Sequence, residues 1–265
     1  MLDTKGCRGQ LMNIAQRLLS IDSPSGFTDQ VVREAEQIAR DHGYAVRRTN
    51  KGNLVVSVLG REKGKRVGLC AHIDTLGLMV RSITADGMLM TTRIGGPILP
   101  TLDGEYCRIH TRDGRIYTGT ILSLSPAAHV FDDVLTRPRD EKNLFENHAL
   151  QLCGNTLIIA GRAEKFRLRL MHIAGQRPRY DTEVCFTVHE EVGHGGATLP
   201  QVDELLAVDM GCVGDDLSCT ERQVSICAKD NGGPYDYGMV TRLVELAQER
   251  LVQDIRYQAV LDFRR

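Results

Sequence analysis

The 265-residue sequence contains no tryptophan, and aromatic residues make up only 5% of it. An excess of charge of either sign is also absent, because 33 Lys and Arg residues nearly balance 34 Asp and Glu residues. Proteins that bind nucleic acid or an anionic membrane through electrostatics usually carry a basic excess. The composition therefore argues against both kinds of partner.

Long apolar stretches are lacking as well. No run approaches the roughly 20 apolar residues that a membrane-spanning helix needs, and the charged N-terminal segment lacks the apolar centre of a signal peptide. The eight cysteines occur singly, without the C-x-x-C spacing of a zinc ribbon or a redox dithiol. We therefore expect a cytoplasmic protein whose cysteines are mainly buried, reduced thiols.

The N-terminal part alternates between helical and strand patterns. Residues 10–21 have apolar positions at helical spacing and are followed by the helix-stopping residues 22–26. Thr28 can cap a second helix that runs to His42, before Gly43. Two apolar runs then predict buried strands, at residues 53–59 and 66–72.

The middle of the sequence has a different character. Brief strand-like segments follow one another from about residue 76, with Asp-Gly turns at residues 86–87 and 113–114 and no helix between them. An α/β pattern then resumes, with strands at 183–189, 205–209 and 223–228 and helices at 163–173 and 235–254. We predict an α/β fold with a mixed sheet flanked by helices and an inserted small β-barrel-like domain at residues 76–150. The α/β domain would comprise residues 1–75 and 151–265, the second part being incomplete.

Two short motifs each end a predicted strand and carry groups suited to metal chemistry. The first places His72 and Asp74 on one face of a strand end, where α/β sheets bind ligands. The imidazole can bind a metal while the carboxylate orients it. The triplet H-x-D, here His72-Ile73-Asp74, also arises often by chance, so by itself it is weak evidence for a metal site.

The second motif is the pair Glu190 and Glu191. Adjacent carboxylates after an apolar strand are costly near a core unless a cation compensates them. One can ligate a metal while the other acts as general base, and glycines after them allow a tight turn into a helix. A solvated acidic loop is the alternative. Asp209, at the end of the next predicted strand, is either a further ligand or a turn cap.

Taken in this order, the motifs resemble those of the deblocking or tetrahedral aminopeptidases, the glutamyl aminopeptidase family of clan MH. Residues 93–97 in the inserted module and residues 227–235 before the last helix resemble the same family. The resemblance implies a zinc exopeptidase-like fold and a dinuclear metallopeptidase that forms homo-oligomers. Its substrates would be peptides with a free N-terminus.

The resemblance also implies a role for each site residue. His72 and Asp209 would bind the first of two divalent metal ions, zinc or cobalt, and Glu191 would bind the second. Glu190 would be the general base, and Asp74 would orient His72.

The sequence departs from the family in three ways. Residues 154–176, where a metal-bridging Asp is expected, contain no aspartate, no histidine follows His194, and Thr75 stands where Glu is usual. Replacement ligands are conceivable, and the candidates are His172, Asp215, Asp216 and Asp230. The losses predict impaired catalysis, and we expect residues 157–176 and the C-terminus to reflect a frameshift or truncation.

Three functions remain open at this point. The first is an impaired metalloaminopeptidase, and the alternative is a catalytically inactive relative that acts as a peptide-binding or assembly subunit. The third, a deacylase or carboxypeptidase, is disfavoured by the β insertion, because those relatives usually carry a helical-plus-sheet dimerisation domain.

Overall fold

A computed structural model describes residues 4–123, 143–146, 158–160, 177–209, 223–230, 232–251 and 258–263. The chain divides into two compact units, Met1–Val208 and Asp209–Arg265. Within the described residues, no helix has the length and apolar character needed to cross a membrane.

The elements of the first unit are, in chain order, α1 (Thr4–Leu19), α2 (Asp29–Asp41), β1 (Ala45–Arg48), β2 (Leu54–Val58), β3 (Glu62–His72), β4 (Gly77–Ile83), β5 (Leu89–Ile94), a 3-10 turn (Leu99–Leu102), β6 (Tyr106–His110), β7 (Ile116–Ser123), β8 (Asn143–Glu146), β9 (Ile158–Ala160), β10 (Tyr180–Thr187) and β11 (Glu204–Ala207). Those of the second unit are β12 (Gln223–Asp230), β13 (Gly233–Pro234), α3 (Tyr237–Leu251) and β14 (Gln258–Phe263).

Five strands of the first unit form a mixed sheet in the order β1-β2-β10-β3-β11. The β1–β2 and β2–β10 pairs are antiparallel, and β3 lies parallel to both β10 and β11. The three parallel strands end at the same edge of the sheet. His72 is the last residue of β3, and Asp74, Glu190 and Glu191 lie in the loops that follow β3 and β10. These four residues therefore lie at the sheet edge predicted from the motifs.

Helix α2 covers one face of this sheet. Its apolar residues recur at helical spacing, and all of them are buried: Val31, Val32, Ala35, Ile38 and Ala39. They share a core with alternate residues of the central strands, Leu54, Val56, Val184 and Phe186. The predicted α/β class with a mixed sheet flanked by helices is confirmed.

A closed barrel lies between β3 and β10 in the chain, with strand order β4-β5-β8-β7-β6-β9. Its apolar interior includes Leu78, Leu89 and Ile109. Gly87 and Gly114 of the Asp-Gly turns have φ angles of 87° and 82°, which glycine adopts without a steric cost. The limits of the inserted domain at residues 76 and 150 remain a prediction.

Several predicted boundaries are wrong. Helix α1 begins at Thr4 and ends at Leu19, and β10 and β11 end at Thr187 and Ala207 rather than at residues 189 and 209. Glu190, Glu191 and Asp209 therefore lie on loops just beyond the strands. Residues 190–193 and 195–198 form turns, not the predicted helix. The helix predicted at residues 163–173 falls outside the described residues.

In the second unit, β12 and β14 pair in parallel and β13 pairs antiparallel with β12. Helix α3 lies between β12 and β14 in the sequence, which makes a β-α-β arrangement. It begins at Tyr237, two residues later than predicted.

Candidate metal centre

His72 is the last residue of β3, and its ring joins two parts of the site. Its Nδ1 atom lies 3.0 Å from the backbone oxygen of Asp74, while its Nε2 atom lies 3.8 Å from Oε2 of Glu190. An acceptor at Nδ1 favours the tautomer that carries its proton there, leaving the Nε2 lone pair for a metal. The ring is thus oriented as a metal ligand requires.

His72, Glu190 and Glu191 can each offer a ligand atom, and these atoms lie within 4.8 Å of one another. His72 is buried, Glu191 is half-buried and Glu190 is exposed, so the group opens towards solvent on the side of the glutamates. One imidazole nitrogen and two carboxylates suit zinc or cobalt. The donors of this group therefore fit a divalent transition metal.

Asp74 is fully buried beneath this group. Its carboxylate accepts hydrogen bonds from the Ser25 hydroxyl at 2.5 Å and from the backbone N–H groups of Glu190 and Glu191 at 3.2 Å each. His72 Nδ1 lies 3.4 Å from Oδ1 of the same carboxylate. Asp74 therefore contacts the histidine, as predicted, and also holds the backbone of both glutamates, which was not predicted.

The protonation of Asp74 follows from these contacts. Burial raises the pKa of this carboxyl, but the hydrogen bonds from His72, Ser25 and the Glu191 amide outweigh burial and lower its pKa overall. Asp74 is therefore held as a carboxylate, the form that accepts these hydrogen bonds.

Asn53 holds both ends of the loop that carries the glutamates. Its Oδ1 atom accepts a hydrogen bond from the Val188 N–H at 3.3 Å, and its Nδ2 atom donates to the Ala197 carbonyl at 2.9 Å. Nδ2 also lies 3.3 Å from the hydroxyl of Thr198. Asn53 is only 2% exposed. Neither Asn53 nor Ser25 was identified from the sequence, because their partners lie far away along the chain.

Two glycines allow the chain to pass close to the glutamates. Gly193 has a φ of 78° in the turn after Glu191, where a side chain would strain the backbone. Gly95, after β5, has a φ of 74°, and a Cβ atom there would lie 2.8 Å from the Glu191 carbonyl oxygen. The barrel and the Glu191 loop therefore meet at a point where only a glycine fits.

The histidines on either side of the glutamates have modest roles here. The His194 N–H donates to the His189 carbonyl at 2.8 Å, which closes a turn of the loop. Burial and the nearby Lys51 lower the pKa of His189. Among the described residues, its buried Nδ1 atom has no hydrogen-bond partner.

Asp209 is the first residue of the second unit and lies two residues beyond β11. The residue before it, Val208, is fixed by a 2.8 Å hydrogen bond from its N–H to the Cys70 carbonyl. The role of Asp209 as a ligand stays a prediction. Of the conceivable replacements, Asp230 accepts hydrogen bonds from the Gly232 N–H and the Tyr235 hydroxyl. His172, Asp215 and Asp216 lie outside the described residues.

Solved aminopeptidases share this fold. The structure matches the aminopeptidase APDkam598 of Desulfurococcus kamchatkensis with a TM-score of 0.75 and 22% identity, over 96% of this chain and 80% of that one. It matches the Pyrococcus horikoshii TET1 peptidase, which can assemble into a tetrahedron or a large octahedral shell, with a TM-score of 0.73 and 20% identity, over 95% and 84% of the two chains. The molecule thus has the fold of an aminopeptidase.

Sequence comparison identifies the family. The model of M42 glutamyl aminopeptidase matches residues 52–147 and 168–263. A putative aminopeptidase of Bacillus subtilis, YhfE, is 34% identical over an alignment of 276 positions that covers 90% of this chain and 79% of the relative. The chain belongs to the M42 glutamyl aminopeptidase family, whose members are metal-dependent hydrolases that act as aminopeptidases. The resemblance noted from the motifs is confirmed.

Proposed function

We propose that this chain is a metal-dependent aminopeptidase that removes N-terminal residues from peptides at a centre of two divalent ions, zinc or cobalt. His72 and Asp209 hold the first ion, Glu191 holds the second, Glu190 is the general base and Asp74 is the positioning carboxylate. The observation that carries the proposal is the convergence of ligand atoms from His72, Glu190 and Glu191 within 4.8 Å.

The bound metal would supply a water of lowered pKa and would polarise the scissile carbonyl. Residues of the chain itself accept the proton and hold the ligands in position. Glu190, with 47% of its side chain exposed, is accessible to substrate and accepts the proton of the attacking water. Asp74 keeps His72 and the backbone of both glutamates in place beneath it.

Substitution of the general base should lower kcat but not bound metal, whereas substitution of a ligand should lower both. The two roles can therefore be distinguished by experiment. Glu190→Gln keeps a side chain of the same shape, and we expect it to retain metal while kcat falls by about 10²–10⁴-fold. His72→Ala and Glu191→Ala remove ligands, so bound metal should fall together with activity. Metal per chain is measured by elemental analysis after equilibration with zinc or cobalt. Activity is measured as the hydrolysis of peptides that have a free N-terminus.

The matched controls are His42→Ala, an exposed histidine at the end of α2, and Glu62→Gln, whose partner Arg179 is also exposed. Both should leave metal content and kcat unchanged. A peptide whose N-terminus is acetylated should resist hydrolysis, because the proposed activity needs a free amino group. Equal cleavage of blocked and free peptides would contradict the aminopeptidase assignment.

The second candidate is a catalytically inactive subunit that binds peptide or assembles with other chains. The absence of aspartate from residues 154–176, where the metal-bridging carboxylate is expected, favours it. Its signature in the same experiments is at most a trace of metal and no hydrolysis, together with saturable binding of a peptide. Two equivalents of metal would reject it.

We further propose a homo-oligomer, because the TET1 peptidase that shares this fold can assemble into a tetrahedron or a large octahedral shell. Light scattering of the purified protein checks this, and a mass of one chain at micromolar concentration would contradict it. A cytoplasmic location, without nucleic-acid or membrane partners, rests on the sequence alone and stays a prediction.

A further inference from the structure

We infer that Ser25 is a positioning residue of the metal centre, acting through the carboxylate of Asp74. Ser25 lies in the loop between α1 and α2, 49 residues before Asp74 in the sequence. The inference rests on the proposed function, since it assigns a second layer of support to the same site.

The need for such a donor follows from the burial of Asp74. A fully buried carboxylate is stable only when charge-assisted hydrogen bonds replace the water that it has lost. The Ser25 hydroxyl donates to Oδ2 of Asp74, and the Glu191 N–H donates to the same oxygen at 3.2 Å. Ser25 and the metal-ligand loop therefore share one acceptor atom, and the hydroxyl helps to fix where that atom lies.

The backbone on both sides of Ser25 is itself fixed. The Ser25 N–H donates to the Thr75 carbonyl at 3.1 Å, and the Thr75 N–H donates to the Ser23 carbonyl at 2.8 Å. At the start of the loop, Asp22 accepts hydrogen bonds from Arg108 and His110 on barrel strand β6. These backbone contacts therefore fix the position of the Ser25 hydroxyl, in addition to its hydrogen bond with the Asp74 carboxylate.

Loss of the Ser25 hydroxyl should disturb the metal ligands indirectly, through the carboxylate of Asp74. Oδ2 of Asp74 would keep the Glu191 amide but lose the Ser25 donor, so the carboxylate would be held less firmly and could rotate further. Rotation would loosen its contacts with His72 Nδ1 and with the backbone of both glutamates. Changes to groups that orient metal ligands typically lower metal affinity or activity by about 10–100-fold.

The test compares Ser25→Ala with Ser25→Thr, which keeps a hydroxyl, and with Ser23→Ala, which removes a hydroxyl of equal size from the same buried loop. The primary measurement is the dissociation constant of cobalt, determined by competition with a chelator. The second is the visible spectrum of bound cobalt, which reports ligand geometry independently of activity. Thermal unfolding of each variant shows whether it is folded, and His72→Ala serves as the reference for loss of a ligand.

We expect Ser25→Ala to weaken cobalt binding by about 10-fold or more and to alter the cobalt spectrum. Ser25→Thr should return both towards the wild type, and Ser23→Ala should change neither. Unchanged cobalt binding in Ser25→Ala overturns the inference, and so does an equal loss in Ser25→Thr or in Ser23→Ala. If His72→Ala also has no effect on cobalt binding, the proposed function itself fails, which separates that outcome from failure of Ser25 alone.

Discussion

At the scale of single residues, Asp74 contacts several parts of the candidate site. From the sequence, it was expected to orient His72, because an H-x-D triplet at a strand end places both side chains on one face. The structure adds the amides of Glu190 and Glu191 as partners of the same carboxylate. Asp74 therefore connects the end of β3 with the loop after β10, and it makes the positions of the candidate ligands His72 and Glu191 depend on each other.

Asp74→Asn tests this connection with almost no change of shape. An Asn side chain places an NH₂ group where one carboxylate oxygen accepted hydrogen bonds, so it would face N–H or O–H donors. We expect metal affinity to fall by about 10–100-fold, measured by chelator competition. Asp86→Asn is the control, because Asp86 is exposed and an Asn-Gly pair keeps the hairpin turn. Equal metal affinity in Asp74→Asn and wild type would contradict the role of the carboxylate.

Two buried thiols and one half-buried thiol give a second prediction at this scale. Burial raises the pKa of Cys107 and Cys185 to about 12 and that of Cys70 to about 11. The thiolate is the reactive form, so these cysteines should resist iodoacetamide in the folded protein at about pH 8 and react after unfolding. Peptide mass spectrometry measures the modified fraction at each cysteine. Rapid labelling of Cys185 in the folded protein would show that the strand is more open than the structure indicates.

At the scale of elements, the sequence predicted those segments whose apolar pattern reflects their packing. Strand β2 and helix α2 fall within about one residue of the predicted ends. Helix α2 has buried positions at helical spacing, β2 is a short apolar run with four of its five residues buried, and both are bounded by glycine or turn residues. Strand β1 was missed. Its residues are exposed or half-buried, and Arg47 and Arg48 at an edge of the sheet have no apolar alternation to mark them as a strand.

The site was predictable in part, for the same reason. His72, Asp74, Glu190 and Glu191 stand in short motifs beside apolar strands, and the structure brings them together. Ser25 and Asn53 could not be found in this way, because a lone Ser in a turn and a lone Asn before a strand are common. Their function depends on hydrogen bonds to residues 49 and 135 positions away.

Asn53 gives the prediction for the loop as an element. Asn53→Ala removes the hydrogen bonds that fix Val188 and Ala197, and leaves both backbone groups unsatisfied. We expect unfolding free energy to fall by about 1–3 kcal/mol, and hydrogen exchange to increase in peptides that cover residues 188–198. Denaturant unfolding and exchange mass spectrometry measure the two effects.

Asn13→Ala, on the exposed side of α1, is the control for Asn53 and should change neither quantity. Faster exchange confined to regions far from residues 188–198 would contradict the bracing role of Asn53. Unchanged exchange throughout would do the same.

At the scale of the first unit as a whole, the barrel is joined to the helix-covered sheet by an ionic contact. Asp22, in the loop after α1, accepts hydrogen bonds from Arg108 Nε at 2.6 Å and from His110 Nε2 at 2.7 Å. Phe27, near the end of this loop, packs on the His110 ring with the ring centroids 4.9 Å apart. These contacts set the barrel against the loop that carries Ser25, and so link the position of the barrel to the candidate metal centre.

The contact of Asp22 with Arg108 and His110 predicts a pH dependence of the unfolding free energy that differs from that of an exposed carboxylate. Burial raises the pKa of Asp22, but hydrogen bonds from Arg108 and His110 outweigh it, and its pKa lies below the ordinary value of 3.8. A carboxyl group whose pKa is lower in the folded state than in the unfolded state stabilises the fold at pH values above its unfolded-state pKa. This stabilisation is lost as the pH falls through its folded-state pKa.

The unfolding free energy of the wild type should therefore exceed that of Asp22→Asn by about 1–3 kcal/mol near neutral pH. The difference should shrink steadily below about pH 4. Denaturant unfolding across this range measures the difference, and Asp86→Asn, which changes an exposed carboxylate, should leave the unfolding free energy near neutral pH unchanged. A difference between wild type and Asp22→Asn that stays constant as the pH falls would mean that shape, and not the charge of Asp22, holds the barrel in place.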